Sequence, residues 1–188
     1  EVGGMPLLEL TLRRLRAAGV TAAVVNTHHH AGQVAEFLAV RGAGLGLGLE
    51  LSHEDPVLET GGGLKKAAAF FDDGKSFLVC NSDVVTDLDL GALMKEHLRT
   101  GALTTLAVLD RPSTRKLLFK DGRLLARAEA GEHAPGSEAL AVSGVHACSP
   151  YLLSRMTEAG VFSLTDVWLR LAGEGALVAA FRHDALRL

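Results

Sequence analysis

The chain has 188 residues, 48% of them hydrophobic and 22% charged, a composition that excludes disorder as its main description. Its length suits one domain with a sizeable core, and no glycine-, serine- or proline-rich linker divides it, so residues 1–188 read as a single domain. A formal net charge of −3, from 22 acidic against 19 basic residues, lacks the basic surplus that binding a phosphate backbone needs, so no nucleic-acid partner is expected.

Residues 7–18, LLELTLRRLRAA, place Leu7, Leu8, Leu12 and Leu15 at helical spacing with arginines on the other face, and Gly19 follows as a stop. Residues 21–26, TAAVVN, form a short apolar run that turns polar, as a buried parallel strand does where it emerges at its carboxyl end. After the loop THHHAG the pattern predicts a helix over 31–40, a glycine-weakened strand over 45–51, and a helix over 61–71 that opens on three glycines. Residues 76–80, SFLVC, are another buried strand, which runs straight into NSDVVTDLD before a helix over 90–99. A strand at 103–109 is followed by KLLFKDGRLLARA, a hairpin with Asp121-Gly122 at its turn. A strand over 139–147, the segment SPYLLSRM, a helix near 165–172 and a last strand, ALVAAF, complete the order.

Strands separated by single helices imply right-handed crossovers. The expected fold is therefore α/β, a mostly parallel mixed sheet with helices on both faces and an antiparallel excursion late in the chain. Ligands of such sheets bind beyond the carboxyl ends of the strands, so the polar clusters at 26–30, 59–63 and 81–83 are expected to converge on one crevice. Cys80 and Cys148 lie in apolar stretches without metal-ligand spacing and read as buried free thiols. With no long apolar run and no basic-then-apolar leader, no membrane contact is expected and the cytoplasm is the expected location. The chain opens on Glu1, already approaching a helix, and reads as one that begins after its natural amino terminus.

Asp83 follows an apolar run and is preceded by Asn81 and Ser82, so its carboxylate projects where a sheet opens to solvent. Mg²⁺ takes hard oxygen ligands, one or two protein carboxylates and the substrate's phosphates, which suits a strand-end aspartate. The same geometry suits a side-chain cap of the following turn, and position alone leaves both readings open. Glu59, Thr60, Gly61, Gly62 and Gly63 stand immediately before a predicted helix, where glycines allow close backbone approach and helix-end N–H groups attract anions or the acceptors of a base edge. A tight turn with Thr60 as N-cap accounts for the same residues. Neither the Walker spacing nor GxGxxG occurs. His28, His29 and His30 are consecutive and cannot all face one metal; Asn26 and one or two of these histidines could hydrogen-bond a sugar or phosphate, or sit in an ordinary exposed loop. Gly144, inside an apolar strand, marks either a bulge or the close approach of a ligand or another backbone. Lys65, Lys66, Arg111 and Arg115 read as solvated charges.

Taken in order, VGGMPLLELTLRRLRAAGV, VVNTHHHA, EDPVLETGGGL, FLVCNSDVVTDLDL and VSGVHACSP resemble the sugar-1-phosphate nucleotidyltransferase family. Within it they are most similar to the branch of N-acetylmuramate-1-phosphate uridylyltransferases and mannose-1-phosphate guanylyltransferase-like proteins. The resemblance implies a Rossmann-like nucleotide-diphospho-sugar transferase fold. It also implies transfer of a nucleotidyl group from a nucleoside triphosphate, UTP or GTP, to a sugar 1-phosphate with Mg²⁺ assistance, and a role in cell-envelope recycling. By position it makes Asp83 the Mg²⁺-binding aspartate and 59–63 the segment that reads the nucleobase. Asn26, His28 and Asn81 would then lie near the substrates, and Gly144 beside the sugar. The family's first strand leads into a glycine-rich loop, GxGTRxxP, and a lysine in a PKP-like segment, and this sequence begins just past both. A second family aspartate, in a WxDxG stretch, has no match, because FRHD passes directly to ALRL; Asp184 is only a nearby carboxylate. The resemblance therefore implies a longer polypeptide that carries the first strand and its loop. Two other readings share the acidic strand end or the missing motifs: a metal-dependent glycosyltransferase, and a catalytically silent nucleotide-sugar-binding domain.

Overall fold

The computed structural model describes residues 2–128 and 135–184. Contacts divide the chain into two compact units, residues 1–73 with 158–164, and residues 74–157 with 165–188.

The first unit contains α1 (Leu7–Ala17), β1 (Ala22–Thr27), α2 (Ala31–Arg41), β2 (Gly48–His53) and α3 (Glu59–Lys66), with 3₁₀ turns at Gly42–Leu45 and Ala68–Phe71. α1 buries Leu12 and Leu15 on one face, as its periodicity requires, together with Glu9. The Glu9 carboxylate is clasped by Arg13 at 2.7 Å and Arg41 at 2.9 Å, which hold it below the ordinary carboxylate range and tie α1 to the end of α2. β1 and β2 pair in parallel, from Ala22 opposite Gly48 to Thr27 opposite His53. Their carboxyl ends are thereby aligned, and the Glu54 N–H donates to the Thr27 carbonyl at 2.7 Å just past the last pair.

The second unit contains β3 (Phe77–Cys80), α4 (Leu90–Thr100), β4 (Thr104–Leu109), β5 (Lys116–Lys120), β6 (Arg123–Arg127), β7 (Ser137–Cys148), α5 (Tyr151–Arg155) and β8 (Val178–Arg182), with all of α6 (Leu164–Gly173) but its first residue. The strands form a six-stranded sheet in the order β3-β7-β4-β8-β6-β5, and β5 also pairs with β7, so the strands from β7 round to β5 close on one another. Leu93 of α4, Leu106 and Val108 of β4, Val167 and Leu171 of α6 and Val178 of β8 are essentially inaccessible and form its core. The hairpin between β5 and β6 turns on Asp121 and Gly122, both with positive φ (49° and 73°), the pairing that a tight two-residue turn between twisted strands demands.

The α/β architecture holds, but the pairing differs from the expected mostly parallel sheet. Among the described strands β1–β2 and β4–β8 run parallel, and the other pairings are antiparallel. The cause is β7, twelve residues long, which runs back between β3 and β4 and imposes antiparallel contacts on both before it also receives β5. Among the described residues no helix is long and apolar enough to cross a membrane.

Candidate functional site

In the first unit the sequence-selected residues gather around one that sequence reasoning missed. Glu54 is only 3% exposed. Its Oε1 accepts from Asn26 Nδ2 at 2.5 Å, its Oε2 accepts from the Leu58 N–H at 2.8 Å, and its carbonyl oxygen lies 2.9 Å from the His28 ring Nδ1. A buried carboxylate is tolerated when such donors replace its water, and here they fasten the ends of β1 and β2 to the start of α3. The available signal was position: Glu54 stands one residue past a strand, as Asp83 stands shortly past another. Gly63 closes the cluster, since a Cβ there would lie 2.6 Å from Asn26 Nδ2 and overlap the Glu54 carboxylate.

The helix predicted over 61–71 is present but starts two residues earlier and ends at Lys66. Gly61, Gly62 and Gly63 lie inside α3, which begins at Glu59 with a φ of 60°, and the helix ends at Lys66, with a 3₁₀ turn after it. Thr60 is not an N-cap; its hydroxyl accepts from the Leu164 N–H at 3.1 Å. The Gly61 and Gly62 N–H groups both donate to the Phe162 carbonyl, at 2.9 and 3.2 Å, so these donors are engaged by the protein's own backbone. Close approach is indeed what the glycines permit, but the approaching chain is 160–162. A Cβ at Gly61 would sit 2.5 Å from the Phe162 ring, and one at Gly62 would sit 2.5 Å from the Gly160 carbonyl oxygen. Lys65 and Lys66, read as solvated, donate to the carbonyls of Glu158 and His53. His29 and His30 are exposed.

In the second unit β3 delivers Asn81, Ser82 and Asp83 at its carboxyl end, all exposed. The Asn81 N–H donates to the Gly144 carbonyl at 2.8 Å. Gly144 has a φ of 74° and sits in a β7 bulge, where the register against β4 shifts from Leu106 opposite His146 to Val108 opposite Val142. The bulge reading of this glycine holds, and side chains fill the space beside it: a Cβ at Gly144 would lie 2.8 Å from Asn81 Nδ2 and 3.1 Å from Val84 Cγ2. The N-cap of α4 is Asp89, whose Oδ1 accepts from the Ala92 N–H at 2.9 Å. Asp184 is occupied: Arg182 and the Asp110 N–H hold its carboxylate, and the arginine's hydrogen bonds push it down to about 2. Cys80 and Cys148 are not in a disulfide, and burial raises the Cys148 thiol to about 12.

No group of three or more His, Cys, Asp or Glu side chains that could hold a metal ion occurs among the described residues. Asp83 nonetheless fits Mg²⁺ in kind. It is an exposed, hard oxygen donor at a strand's carboxyl end, and Mg²⁺ keeps several waters and is completed by substrate phosphates.

Comparison with known proteins gives the family. The profile of the nucleotidyl transferase family matches residues 1–117. An N-acetylmuramate alpha-1-phosphate uridylyltransferase from Caulobacter vibrioides is 36% identical over 93% of this chain and 75% of its own length. A mannose-1-phosphate guanyltransferase from Gibberella zeae is 33% identical over 60% of this chain and 32% of its own length. The crystal structure of HddC from Yersinia pseudotuberculosis complexed with GMP-PN superposes with a TM-score of 0.75 at 18% identity, covering 97% of this chain and 79% of that one, which shows the shared fold. The chain belongs to the nucleotidyl transferase family, among its sugar-1-phosphate nucleotidyltransferases.

Proposed function

We propose that this protein transfers a uridylyl group from UTP to a sugar 1-phosphate, N-acetylmuramate 1-phosphate by preference, and releases pyrophosphate with Mg²⁺ assistance. The observation that carries this reading is the Asn81–Asp83 turn, exposed at the end of β3 and tied to the Gly144 bulge, in a chain 36% identical to a uridylyltransferase of that sugar phosphate. GTP with mannose 1-phosphate is the second reading, favoured by the guanyltransferase relative.

In the reaction a phosphate oxygen of the sugar 1-phosphate attacks the α-phosphorus of the triphosphate. A new P–O bond forms there as the bond to the β-phosphate's bridging oxygen breaks, and pyrophosphate leaves. Asp83 would hold the ion, which when bound neutralises charge on the phosphates. The protein's own work is positioning, which converts an encounter of two anions into an aligned pair. Asn81 and Gly144 would face the sugar. The nucleobase would meet the start of α3 and the Asn26–His28 loop. There Thr60 accepts from Leu164 and keeps its hydroxyl proton to donate, whereas the Gly61 and Gly62 amides are engaged. The reading treats 1–188 as one functional domain and sets it in the cytoplasm, where nucleoside triphosphates and recycled sugar phosphates are available.

Asp83→Asn tests the assignment. It should abolish pyrophosphate release while circular dichroism and melting temperature stay those of the parent, because Asp83 is exposed and supports no core contact. Parental turnover in that variant would overturn the role given to Asp83.

A further inference from the structure

The β7 bulge is held from its far side by His183. Ser143, immediately before Gly144, is 7% exposed, and its Oγ lies 2.5 Å from Nε2 of His183. His183 follows β8, and its backbone N–H donates to the Val108 carbonyl of β4 at 3.1 Å, which fixes the root of the side chain. In the sheet β4 lies between β8 and β7, so the imidazole spans a whole strand to reach the bulge. Two carboxylates bear on the same ring. One is Asp184, its neighbour in sequence; the other is Asp87, which belongs to the loop that carries Asp83 toward α4. Burial outweighs both charges and holds the ring below the ordinary histidine range, so it is a neutral hydrogen-bonding group at physiological pH.

A glycine with positive φ is the freest point of a strand, and a bulge there can relax unless something fixes it. The Gly144 carbonyl receives the Asn81 N–H, and the space left by its missing Cβ receives the Asn81 amide, so any relaxation is passed to the turn that ends in Asp83. Resting on the proposed function, we infer that His183 is a positioning residue: through Ser143 it locks the Gly144 bulge and so sets the Asn81–Asp83 turn against the sugar 1-phosphate. A histidine that only satisfied a buried hydroxyl would stabilise the fold without bearing on that turn.

The test compares His183→Ala, His183→Gln and Ser143→Ala in the intact protein by two readouts. The first is amide hydrogen exchange in residues 81–89, which needs no activity. The second is kcat and KM for each substrate, corrected for folded fraction. Exchange in 81–89 should accelerate in His183→Ala and Ser143→Ala and return toward the parent in His183→Gln, whose amide can still meet the serine hydroxyl. With it kcat should fall by about 10- to 100-fold, the scale of a small misplacement of reacting groups. KM for the sugar 1-phosphate should rise while KM for the nucleoside triphosphate stays within about 2-fold, since the lock acts on the sugar side of the reaction. Unchanged exchange in 81–89 would overturn the inference, as would losses that vanish on correction for folded fraction. If the parent released no pyrophosphate with any substrate pair, the proposed function would fall by itself, and the exchange result would still decide whether His183 holds the turn.

Discussion

Replacing Gly63 by alanine sets two physical effects against each other. Alanine is the better helix former, and in the interior of α3 it should gain about 1 kcal/mol over glycine. The added Cβ, however, would lie 2.6 Å from Asn26 Nδ2 and overlap the Glu54 carboxylate, which is buried and also bound to the Leu58 N–H. Overpacking a tight site costs about 1–3 kcal/mol. Loosening a hydrogen bond to a buried charge costs about 1.5–3 kcal/mol more. The net is a destabilisation of about 1.5–5 kcal/mol, or a fall in melting temperature of about 3–20 °C for a chain of this size. Gly32→Ala in α2 is the control: a Cβ there meets nothing within 4 Å, so it should leave stability unchanged or raise it by about 0.4–1 kcal/mol. Urea unfolding followed by circular dichroism measures both. A Gly63→Ala protein as stable as its parent, or more stable, would refute the tight Asn26–Glu54–Gly63 cluster on which the first unit's candidate site rests.

Stability should also fall with acid in a particular window. Burial lowers the His146 pKa from an ordinary 6.5 to about 4, so between those values the unfolded chain binds a proton that the folded one refuses. The stability is fully present above 6.5 and is lost as pH drops toward 4, by about 3 kcal/mol from this residue. His97, held low by its own burial beside Thr105, adds to the loss with the same sign. His146→Leu should flatten the slope of unfolding free energy between pH 6.5 and 4, and an unchanged slope would contradict the neutral buried state. Cys148, with its thiol raised to about 12 and its side chain inaccessible, should react with a thiol reagent at pH 8 only after denaturant is added; labelling of native Cys148, located by mass spectrometry, would contradict its burial.

What the sequence disclosed was mostly local. The β5–β6 hairpin was legible because Asp121-Gly122 has the backbone preference that the turn uses. The strand ends at Asn26 and Asp83 were legible because an apolar run that turns polar has one simple meaning in an α/β sheet. What escaped was carried by distant partners. The helix that opens on Gly61–Gly63 was legible, but its start at Glu59 was not, because the Gly61 and Gly62 N–H groups are met by the Phe162 carbonyl, about a hundred residues away in sequence. Glu54 binds Asn26 across 28 residues, and Ser143 binds His183 across 40. No periodicity announces such pairs. Nor could strand pattern reveal that β7 inserts antiparallel between β3 and β4, since a strand buried on both faces reads alike in either direction.

Pyrophosphate release with Mg²⁺ in the intact protein, crossing UTP, GTP, CTP, ATP and dTTP against a panel of sugar 1-phosphates that includes N-acetylmuramate and mannose, decides whether this chain is the proposed uridylyltransferase. Release should need one base and one sugar together, UTP with N-acetylmuramate 1-phosphate, and should be lost in Asp83→Asn. Silence across the whole panel, in protein shown to be folded and to bind a nucleoside triphosphate, would contradict the proposed function.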